Sequence, residues 1–271
     1  TIVLEELACR QVTWFSPNPR GGAKHLAAAI RGPAGIGKTS LVRRFRELHC
    51  QDRTVLQAGA DHLVGRAAGL WRRLLKEMLG LPAAVEMPED LLAVHLEEMT
   101  GERLSGEVLE PLHALLAGSF CHDDQMSEEA KAKLQISLRT LLEAAAKGEK
   151  LVLILEDLHR ADHLSLEILT FLINNVHLQN PVLFLLTCRP VGSEEDKLRL
   201  EISERYCHRV HMNLQGLSSN DEREMLCGLM GGAEPSESLT SRILALSEGN
   251  PLYISETLAE LLDRGRLSVS N

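Results

Sequence analysis

Gly32-Pro33-Ala34-Gly35-Ile36-Gly37-Lys38-Thr39 matches G-x-x-x-x-G-K-[ST], the Walker A pattern, at every fixed position. Glycines at these places let the backbone turn so that successive N–H groups face inward, toward phosphate oxygens. A helix beginning near Lys38 aims the positive end of its dipole at the same anion. Lys38 is placed to reach the β- and γ-phosphates, and the Thr39 hydroxyl to coordinate Mg²⁺. Ser40 completes the phosphate-binding stretch. Upstream, His25 to Ile30 is a short apolar run, alanine-rich and weak as a strand by propensity. Downstream, Thr39 to His49 puts Leu41, Val42, Phe45 and Leu48 on one helical face. Strand, glycine loop and helix in that order are the context the pattern requires.

The matching partner is Leu151-Val152-Leu153-Ile154-Leu155-Glu156-Asp157, a Walker B-like stretch. Five apolar residues in a row fit a strand buried on both faces of a parallel sheet. Carboxylates at its C-terminal end stand where parallel sheets bind ligands. Glu156 and Asp157 divide two tasks, one acid holding the Mg²⁺ shell and the other orienting or deprotonating an attacking water. Further strands are expected at Thr54–Ala58, Val182–Thr187 and Val210–Leu214, with helices between them, hence β-α-β units. Helices are expected at Leu4–Val12, at Ala67–Leu79, at about 89–116 with interruptions near Pro82, Pro88 and Pro111, and from Ser127 to about Lys147. After Leu214 no strand is evident. Helices near Ser219–Met230, Glu237–Ser247 and Pro251–Arg264 form an all-α unit. The expected organisation is a core over residues 1–212, whose first 23 residues are a separate N-terminal segment, followed by a helical lid over 213–271.

Composition narrows the function classes. The 271 residues carry 29 Lys+Arg against 38 Asp+Glu, a net charge of −9. Such a chain is not built as a general nucleic-acid or anionic-membrane binder. Aromatics at 3% leave no base-stacking platform. Cys9, Cys50, Cys121, Cys188, Cys207 and Cys227 are scattered without a C-x-x-C pair, as expected of reduced thiols in a cytoplasmic protein. No apolar run approaches the roughly 20 residues of a spanning helix. The chain begins at Thr1 and is expected to be a piece of something longer.

Four motifs occur in register: Gly32–Thr39; Leu151-Val152-Leu153-Ile154-Leu155-Glu156-Asp157-Leu158-His159-Arg160-Ala161-Asp162; Leu186-Thr187-Cys188-Arg189-Pro190; and Glu248-Gly249-Asn250-Pro251-Leu252. The set resembles the AAA+-related ATPase domain of the signal-transduction ATPases with numerous domains, over roughly residues 24–266. In particular it is similar to the branch attached to bacterial transcription regulators, adenylate/guanylate cyclases and protein kinases. The resemblance implies an α/β P-loop NTPase three-layer sandwich with a parallel sheet in the order 5-1-4-3-2 and a C-terminal all-α lid. It implies ATP or ADP with Mg²⁺ bound between core and lid, held by Gly32, Pro33, Ala34, Gly35, Ile36, Gly37, Lys38, Thr39 and Ser40. Thr39, Glu156 and Asp157 would face the metal. Lys38, Glu156, Asp157 and Arg189 would carry hydrolysis. Thr187 and Arg189 would stand at the sensor position, Arg189 touching the γ-phosphate, and Pro251 would pack near the adenine. Partners implied are the other domains of a longer parent chain and further copies on activation, with no membrane and no nucleic acid through this domain. Departures from the family pattern are Glu156 where Asp is frequent, Arg160 where Trp is usual, and no recognisable Gly-Arg-Glu box in residues 1–23. Two other readings stay open: a nucleotide-holding module with negligible turnover, and a DNA-associated initiator or loader ATPase.

Lesser features are read as structural. His159 and His163 are four apart and could share a helix face, but no third metal ligand accompanies them. Cys207, His208 and His211 fit alternation at a strand start. Trp71-Arg72-Arg73 lies in an amphipathic helix. Arg43, Arg44 and Arg46 are expected on a solvated helix face.

Overall fold

The computed structural model describes residues 25–61, 67–82, 87–120, 126–146, 151–176, 182–190 and 207–264. The helix expected at Leu4–Val12 and the loop after it lie outside these. Five parallel strands form one sheet: β1 (His25–Arg31), β2 (Thr54–Gly59), β3 (Leu151–Glu156), β4 (Leu183–Cys188) and β5 (Cys207–Asn213), in the order β2-β3-β4-β1-β5. Read from the other edge this is the expected 5-1-4-3-2. The fold is α/β, with helices packed on the sheet. The alanine-rich β1 is held as a strand by parallel ladders on both sides, β4 and β5, which overrides its weak propensity.

Side-chain alternation assigns the two faces. Leu151, Leu153, Leu155, Phe184 and Leu186 face the larger apolar cluster. It is shared with α2 (Gly69–Met78), α3 (Glu89–Thr100), α4 (Gly106–Ala117), α5 (Glu128–Ala145) and α6 (His163–Asn175). Val152, Ile154, Leu183 and Leu185 face the other way, onto Val42 and Phe45 of α1 (Lys38–His49). That two-sided burial explains the uninterrupted apolar runs of β3 and β4. Beyond β5, α7 (Ser219–Leu229), α8 (Glu237–Ser247) and α9 (Pro251–Asp263) enclose their own small cluster.

Two expectations need correction. The break between α3 and α4 is not at Pro111. Gly101, at φ 69°, ends α3, while Pro111 sits inside α4. Burial of Leu109, Leu112, Leu115 and Leu116 keeps α4 continuous across the missing N–H. His159 and His163 do not share a helix: His159 is on a 3₁₀ turn (Leu158–Arg160), and His163 opens α6 after Asp162. Trp71 is wholly buried on α2, its indole N–H donating to the Ser165 carbonyl. Among the described residues no helix is long and apolar enough to cross a membrane.

Candidate functional site

Because all five strands run the same way, their C-terminal ends lie along one edge of the sheet. The loop after β1, Asp157 after β3 and Arg189 after β4 meet there. Gly35 at φ 75° and Gly37 at φ 99° take the left-handed turns that only glycine adopts freely. Gly35 has a second constraint: a Cβ there would stand 2.5 Å from the Leu252 Cβ of α9. Lys38 opens α1, and its ammonium donates to the carbonyls of Gly32 and Pro33, each at 2.8 Å. Burial lowers its pKa, opposed by the nearby Asp157 and reinforced by Arg189.

The two acids at the end of β3 are differently placed. Glu156 accepts from the Thr39 hydroxyl at 2.8 Å through Oε2 and from the Gln57 amide at 2.7 Å through Oε1. Asp157 is left-handed, at φ 55°, a conformation Asp tolerates better than most residues. Its N–H donates to Thr187 Oγ1 at 3.0 Å, and its carbonyl accepts from Arg160 N–H at 2.8 Å. Thr187 is therefore a buried support for the acidic turn. The Arg189 N–H donates to His159 Nδ1 at 3.3 Å, tying the end of β4 to the same turn. Desolvation lowers the His159 pKa, with Asp157 opposing and Arg189 adding to it.

A cavity of about 390 Å³ opens between this edge and the C-terminal helices. Ala34, Gly35, Gly37, Lys38, Thr39, Ser40, Asp157 and Arg189 line it from the sheet side, and Met225, Pro251, Leu252 and Ser255 from the helical side. Of the residues expected from sequence, Gly32, Pro33, Ile36, Glu156 and Thr187 stand outside that lining. Gly32 and Pro33 hold the Lys38 ammonium, Ile36 is buried, and Glu156 and Thr187 support Thr39 and Asp157. Sequence reading missed Met225, Ser255 and Gln57, and it named Asn250 and Leu252 within the fourth motif without giving either a role. Asn250 Nδ2 donates to the Ala34 carbonyl at 2.9 Å and its Oδ1 accepts from Leu252 N–H at 3.1 Å, capping α9 against the glycine loop. The motif and the N-cap preference of Asn mark the position, and neither identifies a partner 216 residues away.

Behind this edge Asp162 joins two helices. Its carboxylate accepts from Ser165 N–H and Oγ–H at the start of α6, and from Ala68 and Gly69 N–H at the start of α2.

The parallel sheet, the glycine loop closing onto a buried lysine after β1, and the acids at the end of buried β3, with β4 between the two strands, define a P-loop NTPase. The AAA ATPase domain family model matches residues 15–185, more than half of the chain, and the chain belongs to that family. No curated protein matches it. Among solved structures it is similar to Cdc6p from Pyrobaculum aerophilum, at 14% identity and TM-score 0.45, over 82% of this chain and 47% of that one. It is also similar to a Signal Transduction ATPase with Numerous Domains that has a tetratricopeptide repeat sensor, from Pyrococcus horikoshii. That match is at 14% identity and TM-score 0.42, over 92% of this chain and 28% of that one. The chain thus spans less than half the length of either.

Proposed function

We propose that the chain is an ATP-Mg²⁺ binding and hydrolysing switch module of a larger regulatory protein. The observation that carries this is the cavity itself, lined by the phosphate loop, Asp157 and Arg189 on one side and by Pro251 and Leu252 on the other. On this reading the core spans 1–212 and the lid 213–271. The triphosphate lies along the loop from Gly32 to Ser40, with backbone N–H groups and the α1 dipole facing it. Lys38 exchanges its two loop carbonyls for phosphate oxygens.

The residues fit a hard cation. Thr39 and Glu156 present adjoining oxygens, Asp157 lies beside them, and no larger cluster of metal-binding side chains exists among the described residues. Mg²⁺ is commonly held by one or two protein groups, substrate phosphates and water. Thr39 and Glu156 would hold it, directly or through water, and it would offset charge on the phosphates. Asp157 orients the attacking water, and Arg189 contacts the γ-phosphate and reports its presence. The pair Asn250–Ala34 and Leu252–Gly35 then couples loop geometry to the helices. Other domains of the parent chain, or further copies of it, receive that movement. The scattered thiols, with no C-x-x-C pair, support a cytoplasmic setting.

Two measurements test this: equilibrium binding of Mg-ATP and steady-state phosphate release, each with Lys38→Ala beside it. Expected are binding by the wild-type chain and release at least about 100-fold above the variant. Binding without release would leave a nucleotide-holding module. No binding at all would overturn the reading.

A further inference from the structure

Glu156 is gripped at both oxygens, by Thr39 at one and by Gln57 at the other. Gln57 is in turn oriented by Arg46, whose Nη1 donates to its Oε1 at 2.8 Å. The amide cannot serve these neighbours the other way round. Reversed, its NH₂ would face a guanidinium and its carbonyl a carboxylate. Three elements supply the chain: Arg46 from α1, Gln57 from β2 and Glu156 from β3. In the parallel ladder Gln57 stands opposite Ile154, and Gly59 stands opposite Glu156. Ile154 and Glu156 share a sheet face, the one that α1 covers. Gln57 therefore reaches the carboxylate diagonally, two residues along the ladder, at 2.7 Å.

We propose that Gln57, aimed by Arg46, is the positioning residue that sets the carboxylate of Glu156 for Mg²⁺. This rests on the nucleotide-binding reading above. A glutamate has one more rotatable bond than an aspartate, so its carboxylate needs a second fixed point to stay beside Thr39. A neutral amide is suited to that task. Arg46 placed directly on Glu156 would set a positive charge against an incoming cation; the neutral amide transmits the arginine's orientation without bringing that charge to the carboxylate.

The test is binding of a fluorescent ATP analogue to the full chain as Mg²⁺ is titrated, and again in EDTA. For Gln57→Leu the half-saturating Mg²⁺ is expected to rise about tenfold, the low end for the loss of an outer-shell partner. Binding in EDTA stays as in the wild type. Arg46→Met, at an exposed position, shifts the Mg²⁺ requirement in the same direction by less, and Arg46→Lys restores most of it. An unchanged Mg²⁺ requirement in Gln57→Leu, or equal weakening with and without Mg²⁺, overturns the inference alone. A wild-type chain whose nucleotide binding ignores Mg²⁺ overturns it together with the reading it rests on.

Discussion

The sheet and the C-terminal helices meet at the same loop but are stabilised in different ways. In β3 and β4 the residues from Leu151 to Leu155 and from Leu183 to Cys188 are all buried, and apolar clusters cover both faces. The apolar side chains fully buried by helices α7–α9 are Leu226, Ile243, Ile254 and Leu258. Polar ties compensate. Glu222, buried in α7, accepts from Ser247 Oγ–H at 2.6 Å and Gly249 N–H at 2.9 Å. Leu217 N–H donates to the Gly249 carbonyl, where Gly216 and Gly249 approach so closely that a Cβ on Gly249 would lie 2.9 Å from the Gly216 Cα. Area-based stabilisation is spread over many contacts and tolerates small displacements. Directional bonds are few and each depends on geometry. The helical group is therefore the part that yields first, and it is the part that lines the far side of the cavity.

The largest effect should come from the sheet. Phe184→Ala removes a wholly buried ring from β4 and should cost about 3–5 kcal/mol in urea unfolding. A loss below about 1 kcal/mol would break the contrast. A smaller, local effect is expected at Glu222. Glu222→Met takes away the acceptor of the Gly249 N–H and leaves the Ser247 hydroxyl only the longer bond to the Leu244 carbonyl, at a cost of about 1–3 kcal/mol. Hydrogen exchange should accelerate across α7–α9 while β3 and β4 keep their protection, and Glu222→Gln should recover part of it. Acceleration reaching the sheet would show one cooperative unit rather than two.

The finest comparison uses thiols. Burial raises the Cys50 and Cys188 pKa, with Arg53 and Arg46 opposing at Cys50 and Arg31 at Cys188. Cys227 on α7 is half-buried. Since the thiolate is the reactive form, iodoacetamide at pH 8 should label Cys227 at least about tenfold faster than the other two. Raising the pH should narrow the gap as the buried thiols ionise. Equal rates in the folded chain at pH 8 would mean that the sheet opens as readily as the helices.

Much of the core was readable because its signals are local. The glycine loop, the apolar run ending in Glu156-Asp157 and the helix period after Thr39 each occupy fewer than a dozen neighbouring residues, and each was found where expected. The strand order came from resemblance and agrees with the ladder. Pro111 was misread because its local penalty was visible and the burial that outweighs it was not. His159 and His163 matched a helix spacing across what is a turn and a new helix start, with Asp162 capping α6 between them.

The glycine loop, the acidic strand and the alternation of strand and helix are legible in the chain alone, since backbone preference and side-chain period act over a few residues. Which groups complete the candidate site depends on how distant elements pack. Gln57 reaches Glu156 across 99 residues, and Asn250 reaches Ala34 across 216. An isolated Gln or Asn is compatible with many surroundings. Its hydrogen-bond partner is chosen by strand register and helix packing, which no short stretch of chain encodes.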